Sequence, residues 1–89
     1  MIGRDVIYKG RVQGVGFRWT TNDLAKTYNV VGTVENREDG TVFLSVEGNL
    51  QEVEVFMNAI AGRMAGNIKD IIIHERVSSG AYNGFHVLY

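Results

Sequence analysis

The sequence predicts a single α+β domain in which two helices cover one face of a mainly antiparallel sheet. Three observations predict it. Apolar and polar residues alternate over 5–12 and 41–47, the pattern of half-buried strands. Apolar residues recur at helical spacing over 20–28 and again from Leu50 to Met64. Turn-forming residues separate these stretches and give the order β-α-β-β-α-β with one more short strand. At 89 residues there is room for one domain, 1–89. Laying both helix stripes on one sheet face is the simplest way to bury them.

Asp5 to Val12 reads as the first strand, with Val6, Tyr8, Gly10 and Val12 on one face and Ile7, Lys9 and Arg11 on the other. Gln13-Gly14-Val15-Gly16 breaks it, because glycines admit positive φ and a tight loop. Thr20 to Tyr28 reads as a short helix with Thr21, Leu24, Ala25 and Tyr28 on one side, and Asn29 closing it. Thr20 with Asp23 has the spacing of a capping box. Val30 to Asn36 is the second strand, and Arg37-Glu38-Asp39-Gly40 is a turn. Thr41 to Glu47 is the third strand, with Val42, Leu44 and Val46 inward and Thr41, Phe43, Ser45 and Glu47 outward. These two strands pair as an antiparallel hairpin, ended by Gly48. Asn49 with Glu52 reads as a second cap ahead of a stripe of Leu50, Val53, Phe56, Met57, Ile60 and Met64. Gly62 and Gly66 are candidate stops. Ile68 to Val77 is the fourth strand, Ser78 to Gly84 a loop, and Phe85 to Tyr89 a short final strand. The order is that of a ferredoxin-like split βαβ sandwich, a fold that fixes no function by itself.

Composition excludes several classes. An apolar fraction of 45% and a charged fraction of 21% are those of an ordinary globular chain. Nine Lys and Arg against ten Asp and Glu give a net charge of −1, which disfavours a nucleic-acid binder. Without cysteine there is no disulfide, thiolate metal site or thiol nucleophile. The apolar runs are too short for a membrane span, and charges follow Met1 too soon for a signal peptide, so a cytoplasmic protein is expected. With Met1 at its start and Tyr89 at its end, the chain is expected to stand alone. His74 and His86 have no partner at metal spacing, and Ser45, Ser78 and Ser79 have no readable base, so neither a metal nor a serine triad is expected. The aromatics Phe17, Trp19, Phe43, Phe85 and Tyr89 are accounted for as core or sheet surface. Charge is uneven: residues 1–18 carry Arg4, Lys9, Arg11 and Arg18 against Asp5 alone, whereas 35–54 carry six carboxylates against Arg37. One small positive region on a near-neutral chain suits one small anion better than a polyanion.

Gly10-Arg11-Val12-Gln13-Gly14-Val15-Gly16-Phe17-Arg18 is the stretch able to carry chemistry. A glycine-bearing loop from a strand into a helix can turn successive N–H groups inward as an anion nest. The helix start adds partial positive charge, and Arg18 adds a fork for two oxygens of one tetrahedral anion. A Walker loop would need Gly-Lys-Ser/Thr where Val15-Gly16-Phe17 stands. A dinucleotide fingerprint would need a third glycine where Trp19 stands. The spacing alone fits equally a β–α turn with an ordinary surface arginine. Asn36, at the second strand's end, has an amide able to hold a water, although a plain turn residue is the simpler reading.

The segment 10–18 resembles the first signature of the acylphosphatase family. Gly32-x-Val34-x-Asn36-x-x-x-Gly40-x-Val42, closed by Gly48, resembles its second. The likeness spans nearly the whole chain and implies hydrolysis of a small-molecule acyl phosphate by a monomer, with no metal and no cofactor. It implies that Arg18 and the backbone amides of Gln13, Gly14, Val15, Gly16, Phe17 and Arg18 bind the phosphate. It implies that Asn36 orients the attacking water. Thr33 stands where the family usually has an aromatic residue, Glu35 where it has a basic or neutral one, and Ala65-Gly66 where a proline is common. Strand alternation points Glu35 away from Asn36. The alternative the resemblance leaves open is a non-catalytic phosphate- or carbamoyl-phosphate-binding module, such as occurs inside hydrogenase maturation carbamoyltransferases. A nucleic-acid-binding domain of the same fold is disfavoured, because no aromatic-basic motif is present.

Overall fold

A computed structural model describes all 89 residues. The elements are β1 (Ile2–Gly10), α1 (Phe17–Ala25), β2 (Val30–Asn36), β3 (Val42–Gly48), α2 (Leu50–Arg63), β4 (Ile68–Val77) and β5 (Phe85–Leu88). The five strands form one sheet in the order β4-β1-β3-β2-β5. Every neighbouring pair is antiparallel except β2 with β5, which is parallel. β1 and β2 therefore run in the same direction with β3 between them, the predicted split βαβ arrangement. This places the loop after β1 and the turn after β2 at the same end of the sheet.

Alternation fills the core as predicted. Val6 and Tyr8 of β1, Val34 of β2 and Val42, Leu44 and Val46 of β3 meet Phe17 and Ala25 of α1 and Val53, Phe56, Met57 and Ile60 of α2. Tyr8 packs on Phe17 with ring centroids 4.8 Å apart, and Phe56 packs on Phe85 at 5.7 Å. No helix is long and apolar enough to cross a membrane.

Several boundaries differ from the sequence reading. β1 begins at Ile2, because its first residues pair with β3 on one side and β4 on the other. It ends at a register shift at Gly10, leaving Val12 buried beyond the strand. α1 begins and ends three residues earlier than expected. Gly16, in the left-handed region at φ 79°, occupies the N-cap position, and Thr20 lies one turn inside with its N–H on the Gly16 carbonyl at 2.9 Å. Thr20 and Asp23 therefore form no capping box. Tight bonds from Lys26 N–H to Asp23 and from Thr27 N–H to Leu24 close the helix before Tyr28. Asn49 caps α2 by position only, and Glu52 instead accepts from the Asn29 N–H at 2.8 Å, tying α2 to the turn after α1. Gly62 lies inside α2 rather than ending it.

The main correction concerns the outward sheet face. Ser45 and Glu47 lie on it as predicted, yet they are buried, at 2% and 1% exposure. The chain has to pass from β4 at one sheet edge to β5 at the other, and residues 78–84 cross this face. Glu47 accepts from Ser78 Oγ at 2.9 Å, from Ser79 N at 2.9 Å and Oγ at 2.7 Å, from Gly80 N at 3.2 Å and from the Arg76 guanidinium. Ser45 donates to Asp5 at 2.9 Å and accepts from Tyr82 at 2.7 Å and Arg76 at 2.8 Å. Burial pushes the Glu47 carboxyl up, but the donors on Ser79, Arg76 and Ser78 more than reverse this and hold it at about 2.

Candidate active site

The first loop, the start of α1 and the ends of β2 and β5 enclose a cavity of about 240 Å³. Gly14 and Gly16 line it from the loop, Arg18, Trp19 and Asn22 from α1, Asn36 from β2 and Val87 from β5, with Tyr89 just beyond. Both glycines sit at left-handed φ, 74° and 79°, and a Cβ at either would meet no neighbour. Glycine is there for the backbone conformation and not for space. Because Thr20 makes the first bond back to Gly16, the N–H groups of Phe17, Arg18 and Trp19 have no helical acceptor. They sit at the partial positive end of α1.

Arg18 is half-buried and lies across the cavity. Its Nη1 donates to the Leu88 carbonyl at 3.3 Å, and its guanidinium carbon is 4.9 Å from the centre of the Tyr89 ring. Asn36 ends β2, and its Oδ1 is buried with no protein donor. Gln13 and Val15 do not line the cavity. The Gln13 side chain reaches the turn after β2 instead, donating from Nε2 to the Arg37 carbonyl at 2.7 Å and the Thr41 carbonyl at 2.9 Å. Two carbonyl acceptors leave its amide one orientation. This bond pair ties the first loop to the turn that carries Asn36. The turn is stiffened further by Asp39, which accepts from Thr41 Oγ1 at 2.6 Å and Thr41 N at 3.0 Å. Those bonds hold the Asp39 carboxyl below the usual carboxylate range.

Glu35 faces away, 3.9 Å from Arg37 Nε, and that guanidinium lies 3.9 Å over the Phe43 ring. The cavity lining therefore holds Arg18 and no carboxylate side chain. His74 and His86 sit on β4 and β5, the opposite edges of the sheet. The sequence reading missed five lining residues: Val12, Trp19, Asn22, Val87 and Tyr89. Trp19, expected in the core or on the sheet, is 65% exposed on α1. Its place directly after Arg18 was the one available signal. Nothing in the spacing of Val87 and Tyr89 signals that β5 lies beside β2.

Comparison with known proteins follows the same line. The acylphosphatase family model matches residues 4–87. An acylphosphatase of Lactiplantibacillus plantarum is 41% identical over 80 residues, covering 88% of each chain. The crystal structure of an acylphosphatase from Bacillus subtilis superposes with a TM-score of 0.89 at 31% identity, over the full length of both chains. Full-length HypF, in its phosphate- and nucleotide-bound form, matches the whole chain with a TM-score of 0.80 at 29% identity, over 12% of its own length. Sequence, fold and relatives agree over nearly every residue, and the chain belongs to the acylphosphatase family of hydrolases.

Proposed function

We propose that this enzyme hydrolyses acyl phosphates, R–CO–O–PO₃²⁻, to a carboxylate and inorganic phosphate through Arg18, the loop amides and Asn36. The Arg18 guanidinium and the backbone N–H groups of the loop residues that line the cavity, Gly14, Gly16, Phe17 and Arg18, bind the phosphate, and Asn36 orients the attacking water. One observation carries this reading: Asn36 lines the same cavity as Gly14, Gly16 and Arg18, and its Oδ1 takes no donor from the protein. A buried acceptor needs a donor. A water that donates to Oδ1 keeps its lone pairs free for phosphorus.

An acyl phosphate has a good leaving group, so charge on the equatorial oxygens is the main thing to stabilise. Preorganised N–H donors and one guanidinium do that. Water attacks in line: its oxygen forms a bond to phosphorus as the bond to the acyl oxygen breaks, and the carboxylate leaves with the electron pair. The cavity lining has no carboxylate or histidine side chain to act as base, and the water's proton goes to a phosphate oxygen. Products are RCOO⁻ and H₂PO₄⁻. Every group in this reading comes from one chain, so a monomer suffices.

Benzoyl phosphate hydrolysis with a chelator present tests it. Arg18→Gln should lower kcat/KM by at least about 10²–10³, with phosphate inhibition lost as well. Asn36→Ala should abolish turnover while phosphate still binds. Normal hydrolysis by the Arg18 variant overturns the reading. The second reading, a phosphate-binding module without catalysis, is favoured by the likeness to phosphate-bound HypF. It predicts phosphate binding with no turnover in the unmodified protein.

A further inference from the structure

The phosphate end of the cavity is provided for, and its acyl end is the open question. Half of the lining residues are apolar. Val12 and Phe17 belong to the core, at 1% and 2% exposure, and offer a ligand little surface. Tyr89 is fully exposed, but its ring is engaged by the Arg18 guanidinium, which the phosphate needs. Trp19 differs from them all. It is 65% exposed, and no ring or cation of the chain stacks on it. It nevertheless lines the cavity, one residue after Arg18. An indole presents the largest apolar face of any side chain, and leaving it in water at a cavity mouth is unfavourable unless something covers it.

In-line displacement then says where the acyl group goes. The leaving oxygen must lie across phosphorus from the attacking water. Asn36 holds that water from the sheet, whereas Trp19 belongs to the helix, a different wall of the cavity. Among the lining side chains, Trp19 alone combines a large exposed apolar surface with a place on the helix and no stacking partner in the chain.

We propose that Trp19 is the platform on which the substrate's acyl group stacks, so that the enzyme prefers acyl phosphates with an aromatic or bulky apolar acyl group. This rests on the acyl phosphate reading above. The face of an indole is electronegative, which disfavours acyl groups carrying a second anion.

The test compares benzoyl phosphate with acetyl phosphate in the unmodified protein, in Trp19→Ala and in Trp19→Phe. The ratio of the two kcat/KM values should favour benzoyl phosphate. Trp19→Ala should lower that ratio about tenfold, the size of one aromatic stack and its buried area, and Trp19→Phe should restore most of it. Trp19 is the only tryptophan in the chain, so its fluorescence reports the subsite directly. Phenacylphosphonate, with a methylene in place of the scissile oxygen, should change the emission at saturation, and inorganic phosphate should change it much less. An unchanged ratio in Trp19→Ala, with both substrates turned over by the unmodified protein, overturns the acyl platform and leaves the hydrolase reading standing. Turnover of neither substrate by the unmodified protein overturns both.

Discussion

Gln13 shows how much of this site depends on a residue that never touches the cavity. Its amide bonds two carbonyls of the turn behind Asn36. Both carbonyls keep another donor, Gly40 N–H for Arg37 and Arg37 N–H for Thr41, so the turn survives without Gln13. What is lost is the fixed spacing between loop and turn. Because small displacements of a positioned water are expensive in rate, Gln13→Ala should lower kcat about tenfold or more with KM changed far less. Steady-state kinetics decide it; a raised KM with kcat unchanged would mark Gln13 as a ligand-binding group only. Gly16→Ala places a side chain at φ 79° with free space around it. It should cost about 1–2 kcal/mol of stability from backbone strain alone, read by denaturant titration. At this scale spacing alone left Arg18 and Asn36 open to plain turn readings, and the two matched signatures singled them out. The sequence was silent on Trp19, because exposure is set by what packs alongside and not by the residue itself.

The element that organises the site from behind is the crossing segment 78–84. Glu47 anchors it, and it leads into β5, where the Gly32 N–H bonds the Gly84 carbonyl at 3.0 Å. β5 then supplies the Leu88 carbonyl that holds Arg18. A carboxyl held at about 2, against an ordinary value of 4.5, stabilises the fold fully above the higher number. That stability is lost as pH falls from about 4.5 through about 2. Thermal unfolding across this window should show the loss, and Glu47→Gln should flatten it while lowering stability at neutral pH. Gly32 of β2, which bonds the end of this segment, is the second constrained point. Its φ is 148°, and a Cβ there would run into the Ser45 carbonyl. Gly32→Ala should cost about 3 kcal/mol or more, with β2 pushed away from β3. The same scale explains the shifted α1. Glycine at positive φ became the cap, a reading that Thr20-x-x-Asp23 obscured because its spacing imitates a capping box.

Across the whole molecule the pairings are long-range. β1 pairs with β4 so that Ile2 faces Val77, nearly the full chain length away. Such topologies close large loops before contacts reward them, and fold on the scale of milliseconds to seconds. The chain contains no proline. Refolding should therefore show no slow isomerisation phase of tens of seconds. Stopped-flow fluorescence from Trp19 reads both; a dominant phase of that length would contradict the argument. The net charge of −1 with a cation held at the cavity suits a single small anion, in keeping with a site of about 240 Å³.

Local chemistry was enough to specify β2, β4 and the hairpin turn, and the two faces of β1 and β3. Period, turn residues and glycine placement are properties of neighbours in the chain, so they can be read along it. Tertiary structure alone decided that β5 lies beside β2, that Ser45 and Glu47 are covered, that Gln13 bonds the far turn and that Trp19 stays open to solvent. Each of these depends on residues tens of positions apart being brought together, and burial of that kind leaves no periodic trace in sequence.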